Sequence, residues 1–462
     1  MASQPIRGDL TQGPILKTLV AFSIPMLISN IIQTLNGSIN AIWVGRLIGE
    51  SALAATASAN MVMFLLFAAV FGFSMATTVR VGHYFGARDI PAARVTFGTG
   101  VGFCTVLAAA TGVLGWFYTP ALLQMLSTPE ASLEQALAYL RVIFVTMPFG
   151  TISMMVSMGM RGAGDARTPL YAMILTVVLD IVLNPLLILG AGPVPAMGIA
   201  GSAIATAIAN LMGATAMIVT IYVRDLPLRL RGAELAYLIP RSADLRYLIT
   251  KGIPMGAQML LLSAAGLIMI GLVNREGLIA AAAYGASLQL WNYLQMPAMA
   301  IASSVSAMVA QNIGAGNHDR VGAITRYGVM VNLVMTGLLA LLLVLFDRPV
   351  LALFLGGGSA AIPLAQHMQL ICTWSFVLSG ATMILIGTMR AYGVVILPLL
   401  LMAVSLYAAR LSFYAIAYPH IGADAVWWAY PVGSVIALPL TWGAYVWTRR
   451  KQTSALASSG AA

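Results

Sequence analysis

TPLYAMILTVVLDIVLNPLLIL, residues 168–189, is the stretch from which the rest of the chain can be read. Its length matches the roughly 20 apolar residues that a helix needs to cross a bilayer. One carboxylate, Asp180, lies inside it, and the pair Asn184-Pro185 follows one turn later. The rise of a helix puts Asp180 roughly 18 Å beyond Thr168, past the middle of an apolar layer about 30 Å thick. An ionisable group at that depth is costly and marks a functional site by default.

Composition agrees with a membrane setting. The 462 residues are 60% hydrophobic and only 8% charged, with a mean hydropathy of +0.91. That is too little charge to cover a soluble globule of this size. The net charge of +10 is spread over short polar gaps rather than one basic patch, so no nucleic-acid partner is expected. Cys104 and Cys372 both fall in apolar runs and offer no disulfide framework. The first apolar run, from Ile15, lacks the short core and small-residue exit of a signal peptide, so the first helix is expected to stay in the mature protein.

Working outward from residues 168–190, twelve runs are long enough to span. They lie near 15–44, 52–79, 94–118, 136–158, 168–190, 197–223, 247–273, 278–308, 322–346, 362–388, 394–418 and 425–447. Pro25, Pro148, Pro185, Pro254 and Pro297 are candidate kink points. With a cytoplasmic N-terminus, most Arg and Lys fall on the inside. Only Arg46, Arg141, Arg275, Arg348 and Arg410 are left for the other side or the membrane. The bias puts both termini in the cytoplasm, in a plasma membrane, most simply a bacterial inner membrane.

The two halves repeat each other. Ile24-Pro25-Met26 returns as Ile253-Pro254-Met255, and Met160-Arg161, Gly164 and Pro169-Leu170 return as Met389-Arg390, Gly393 and Pro398-Leu399, all at one constant offset. Gly86-Ala87 returns as Gly314-Ala315, a single position short of that offset. Six spans between equivalents give both halves the same sense in the membrane. The expected fold is therefore an all-α integral membrane protein. Its twelve transmembrane helices form two six-helix repeats related by a pseudo-two-fold axis along the membrane normal, leaving a central cleft suited to alternating access. Its parts are an N-terminal lobe (1–223), a basic cytoplasmic linker (224–251), a C-terminal lobe (252–448) and a polar cytoplasmic tail (449–462).

Several motifs in this order resemble one family. They are Trp43-Val44-Gly45-Arg46, Phe85-Gly86-Ala87-Arg88 with its repeat Ile313-Gly314-Ala315-Gly316, Arg161-Gly162-Ala163-Gly164-Asp165, and Val426-Trp427-Trp428-Ala429. Together with the repeated Ile-Pro-Met, they make the chain similar to the multidrug and toxic compound extrusion (MATE) transporters along essentially its whole length. The resemblance implies a cation-coupled antiporter, driven by protons or sodium, that expels organic and often cationic compounds. Many members carry an aspartate where this chain has Asn40, and an Asn-then-Asp order on the fifth helix that is here reversed as Asp180 and Asn184. The glutamate that one branch carries on the seventh helix has no counterpart between Pro254 and Asn274.

Of the fourteen acidic residues, Asp180 alone lies deep in a span. Thr176 and Asn184 share its helical face, and Pro185 cannot donate to the carbonyl of Ile181. Gln33, Asn36 and Asn40 follow helical spacing on the first helix and offer a partner face. A desolvated carboxyl can hold a proton, and a set of oxygens can hold sodium. The coupling-ion candidates are accordingly Asp180, Asn184, Asn40, Asn36 and Thr176, with H+ or Na+ as the ion. A structural acid, with amides that merely tie helices together, is the plainer alternative.

The 27 methionines are mostly core or lipid-facing filler, yet thioethers and aromatics can also line an adaptable pocket. Gln33, Met154, Met158, Met259, Gln289, Asn292 and Tyr293 are the substrate-binding candidates, for small organic molecules. Arg410 aligns with Ile181 in the repeat, which allows it to face the cleft opposite Asp180, but it is expected rather to snorkel toward the outer boundary. Gly98, Gly100 and Gly102 read as close packing rather than a nucleotide turn. The four histidines are scattered and no phosphate-binding loop is present, so no enzyme chemistry, cofactor or transition metal is expected, and no obligatory protein partner. A flippase of lipid-linked substrates is the second reading, and it would favour a strongly cationic cleft.

Overall fold

The computed structural model describes residues 8–125, 130–190, 192 and 195–459, and their regular structure is helical. The helices are α1 (Ile15–Leu47), α2 (Glu50–Gly86), α3 (Ile90–Met125), α4 (Glu130–Gly162), α5 (Arg167–Leu189), α6 (Gly198–Val223), α7 (Ser242–Arg275), α8 (Leu278–Gly314), α9 (His318–Leu345), α10 (Asp347–Leu355), α11 (Ile362–Cys372), α12 (Ser375–Ala391), α13 (Ile396–Ala403), α14 (Arg410–Ile421) and α15 (Asp424–Ser459). Helices satisfy every backbone group within the segment, which an apolar layer without water demands.

Among the described residues, helices lie at all twelve expected spans, eleven of them long and apolar enough to cross a membrane when the bent pair is taken as one. Ten are single apolar helices: α1 to α9, and Ile396–Ile421, where α13 and α14 are joined by the π-helical turn Val404–Ala409. The eleventh is the pair α11 and α12, bent by 45°. The twelfth is α15, whose Trp427, Trp428, Tyr430, Pro431 and Trp442 make it less hydropathic than the ten single-helix spans. Helices run through Pro25, Pro148, Pro185, Pro254 and Pro297, whereas the bend between α11 and α12 contains no proline. There the Ser375 hydroxyl bonds the Cys372 carbonyl at 2.6 Å, and the Phe376 amide turns instead to the Thr373 carbonyl. A side chain inserted into the ladder in this way opens a helix.

The chain packs as two units. One holds 8–11 and Ile28–Gly256, and the other holds Gln12–Leu27 and 257–459. The divisions after Leu27 and after Gly256 fall at equivalent places in the two repeats, half a turn beyond Pro25 and Pro254. Each unit therefore takes the opening turns of the other half's first helix. In the first unit, a Cβ on Gly72 would come 2.2 Å from the Gly252 carbonyl oxygen, so α2 and the start of α7 touch backbone to backbone. Arg80 lies over the Tyr247 ring at 4.8 Å, and Thr96 bonds Asp244 at 2.8 Å. In the second unit, Ser304 reaches the Met26 sulfur and Arg320 the Gly13 carbonyl.

The segment after α6 is not a loose strand of chain. A 3-10 turn, Gly232–Leu238, lies against α3, where Gly98 meets Tyr237 and Gly102 meets the Leu238 carbonyl. Gly100 faces Thr77 and Met155 instead. Arg94 holds the turn through the Pro227 carbonyl and through Glu234, at 2.8 and 2.9 Å. The Arg231 amide and Arg94 keep the Glu234 carboxyl below the usual carboxylate range, and the Arg231 guanidinium does the same for Asp225.

Candidate functional site

The local sequence places Asp180 and Asn184 one turn apart on α5, and α5 packs against α6, its neighbour in the chain. Small residues allow the two helices to approach. A Cβ on Gly201 would come 2.4 Å from the Leu187 carbonyl oxygen, and one on Gly213 would strike the Thr176 hydroxyl. Ser202 and Thr206, one turn apart on α6, consequently face the same buried point. The Ile28–Leu47 part of α1 adds Asn36 and Asn40, also one turn apart.

Asp180 and Asn184 are both 0% exposed. Asn36 and Asn40 donate to Asp180 Oδ2 at 2.8 and 2.7 Å. Asn184 Nδ2 and Thr206 Oγ1 donate to Oδ1 at 2.9 and 3.0 Å. Four donors thus fill the acceptor positions of one carboxylate. A second ring supports the first. Asn184 also donates to the Asp180 carbonyl at 3.0 Å and to Asn40 Oδ1 at 3.2 Å, and Ser202 Oγ donates to Asn184 Oδ1 at 2.6 Å. Tyr139 of α4 stands within electrostatic range of Asp180. Among the described residues no Lys or Arg forms an ion pair with Asp180. One oxygen in the cluster, Asn36 Oδ1, is buried and accepts nothing.

Of the coupling-ion candidates, the structure brings Asp180, Asn184, Asn40 and Asn36 together. Thr176 stands apart: its hydroxyl bonds the Ala172 carbonyl at 2.9 Å, one turn back on its own helix. Sequence reasoning missed Ser202 and Thr206. The signal was present, a Ser and a Thr four residues apart in the helix that follows Asp180, but it needed knowledge of which face of α6 meets α5. Among the substrate candidates, Gln33 is exposed and Met154 and Met158 are half-buried in the first unit. Asn292 is exposed in the second unit, where Met259, Gln289 and Tyr293 are half-buried. The Arg410 guanidinium lies over the Tyr430 ring, 4.6 Å from the centroid.

A carboxylate enclosed by amides and hydroxyls inside a bundle of membrane spans is the kind of group that marks an ion pathway, and the family of the chain makes it an integral membrane transport protein rather than an enzyme. The comparisons with known proteins show that family. The MatE family profile matches residues 25–186 and, a second time, residues 254–416, so the chain belongs to the MatE family, as the motifs resembling MATE transporters implied. The two matches begin at Pro25 and Pro254, equivalent positions of the repeat read from the sequence.

The chain is 32% identical to the probable multidrug resistance protein YoeA of Bacillus subtilis, over 95% of each chain. It is 27% identical to an FAD transporter of Shewanella oneidensis, over 75% of this chain and 76% of that one. A mutant of the Vibrio cholerae MATE transporter VcmN superposes with a TM-score of 0.87 at 21% identity, over 95% of this chain and 97% of that one. These relatives do not favour the flippase reading.

Proposed function

We propose that this protein is a secondary active efflux transporter that exchanges a proton or a sodium ion for organic, mainly cationic, compounds by alternating access. On this reading it works in the plasma membrane, a bacterial inner membrane, with both termini cytoplasmic. The observation that carries it is the Asp180 cluster: a fully buried carboxylate with four donors and, among the described residues, no basic partner, beside the unused acceptor Asn36 Oδ1. A proton would bond to Asp180 and displace one of its donors. A sodium ion would take oxygens from Asp180, Asn36, Asn40 and Thr206 after the amides turn, a donor set of the hard type that such cations choose. Either ion would alter how tightly α1, α5 and α6 are held, and that is the change a transport cycle requires.

The multidrug resistance relative supports the efflux reading. Another relative is an FAD transporter. Gln33, Met154, Met158, Met259, Gln289, Asn292 and Tyr293 are the residues we assign to substrate contact.

The experiment reconstitutes the protein in liposomes with a fluorescent organic cation and imposes a pH gradient or a sodium gradient separately. One gradient is expected to drive the dye, and Asp180→Asn is expected to abolish that response. If neither gradient moves the dye, or if Asp180→Asn responds as the wild type does, coupling through Asp180 is refuted.

A further inference from the structure

In the second unit a cation lies inside a span and, among the described residues, pairs with no carboxylate. Arg410 follows directly on the π-helical turn Val404–Ala409, well inside the span Ile396–Ile421. Such single-turn insertions recur at functional sites because they re-aim the side chain that follows. The Arg410 side chain crosses α15 at Gly433, where a Cβ would come 2.6 Å from Nε. Among the described residues no ion pair includes Arg410, and its Nε is buried without an acceptor.

The surroundings repeat that imbalance. Arg410 lies on Tyr430, whose ring is 5.6 Å from Trp291 and whose hydroxyl shares a hydrogen bond with Tyr284. Gln369 is engaged through its oxygen, which accepts from Trp291 Nε1 at 2.9 Å and from Thr373 Oγ1 at 2.6 Å, while its Nε2 is buried without an acceptor. Trp427, stacked on Tyr284 at 6.3 Å, also has a buried Nε1 without an acceptor. Three unused N–H donors, one of them on a guanidinium, with no acid in the cluster, are the complement of a negative charge. Each unmet donor costs free energy that an anion would recover.

We propose that this cluster binds a monovalent anionic group, either the carboxylate of an organic substrate or a free halide. The inference rests on reading the chain as a transporter of organic compounds. It adds that compounds carrying a carboxylate, zwitterions included, are held through it in the C-terminal unit. The sequence repeat sharpens the point: Arg410 stands at the position equivalent to Ile181, next to Asp180, so neighbouring positions of the repeat carry opposite charges in the two halves.

Binding to the full chain in lipid nanodiscs tests this without any gradient, so it can fail while ion coupling stands, and the reverse. The probes are a xanthene dye with a free carboxylate and its methyl ester, followed by fluorescence anisotropy in chloride and in gluconate. Wild type is expected to bind the acid at least tenfold more tightly than the ester. Arg410→Gln should bind the two alike, and Arg410→Lys should keep part of the preference. Competition by chloride assigns the site to halide as well, whereas acid preference without chloride competition assigns it to the substrate carboxylate. Equal binding of acid and ester by wild type with no effect of chloride overturns the proposal, as does an acid preference that survives in Arg410→Gln. If neither dye binds, an unfolding temperature that is the same in chloride and gluconate overturns it too.

Discussion

Asn40 on α1 donates to Asp180 on α5 across 140 residues of sequence, at 2.7 Å, and accepts from Asn184 through its own oxygen at 3.2 Å. A single amide thus ties the carboxylate to the asparagine that supports it. Replacing Asn40 with Ala leaves an acceptor position of a buried carboxylate unmet, while the two N–H groups of Asn184 keep the Asp180 carbonyl and Oδ1. The expected loss is about 1–3 kcal/mol of stability, read as a lower unfolding temperature in detergent. An unfolding temperature equal to wild type would show that water replaces the amide at no cost.

Thr206 and Thr176 form a matched pair for separating the site from its neighbourhood. Both are threonines of the α5–α6 pair, but only Thr206 bonds the carboxylate. Thr206→Val removes that donor at nearly constant volume and is expected to slow gradient-driven dye flux at least severalfold. Thr176→Val is expected to leave flux within error, since its hydroxyl serves its own backbone. Equal effects of the two would place Thr206 outside the working site.

Gly201→Ala probes the approach of α6 to α5. Its Cβ would press on the Leu187 carbonyl at 2.4 Å, a backbone contact that no rotamer relieves. The helices must separate, which moves Ser202 away from Asn184. We expect about 1–3 kcal/mol of destabilisation and reduced coupling, measured by thermal unfolding and by the liposome assay. Unchanged values for both would mean that α6 shifts freely along α5.

The docked turn Gly232–Leu238 predicts a pH dependence outside the membrane. Its contacts with Arg231 and Arg94 hold Glu234 below the usual carboxylate range. A carboxylate depressed in the folded state stabilises above its unfolded value near pH 4.3, and that contribution is lost as pH falls through the folded value. The protection of the 232–238 amides against hydrogen exchange, relative to the unfolded chain at the same pH, is expected to be high near neutral pH and to fall in acid. Glu234→Gln should exchange faster at neutral pH and show a flatter acid response. A turn that exchanges equally fast in wild type and variant at neutral pH would contradict the role of Glu234.

The positions of the spans were legible because the apolar layer imposes them one helix at a time: a run of the right length must be helical whatever its neighbours do. The bend at Thr373–Trp374 was not legible, since it comes from the Ser375 hydroxyl taking a backbone carbonyl rather than from proline. In the site, Asp180, Asn184, Asn36 and Asn40 could be picked out because polar groups on helical spacing stand out against an apolar background. Thr176 was grouped with them by spacing alone, and spacing cannot tell a hydroxyl that bonds its own helix from one that crosses to another.

The sequence by itself determined that this is a helical membrane protein of two repeats, with one carboxylate deep in its fifth span. Apolar length, the constant offset between the repeats and the cost of a buried charge are all properties of the chain read locally. Only the tertiary structure decided who meets that carboxylate and where Arg410 goes. Ser202 and Thr206 reach Asp180 and its supporting Asn184 because glycines let α6 close on α5, and Arg410 turns onto Tyr430 because a π-helical turn and Gly433 leave it room. Those choices depend on which faces of distant helices touch, a relation between segments that no single segment carries.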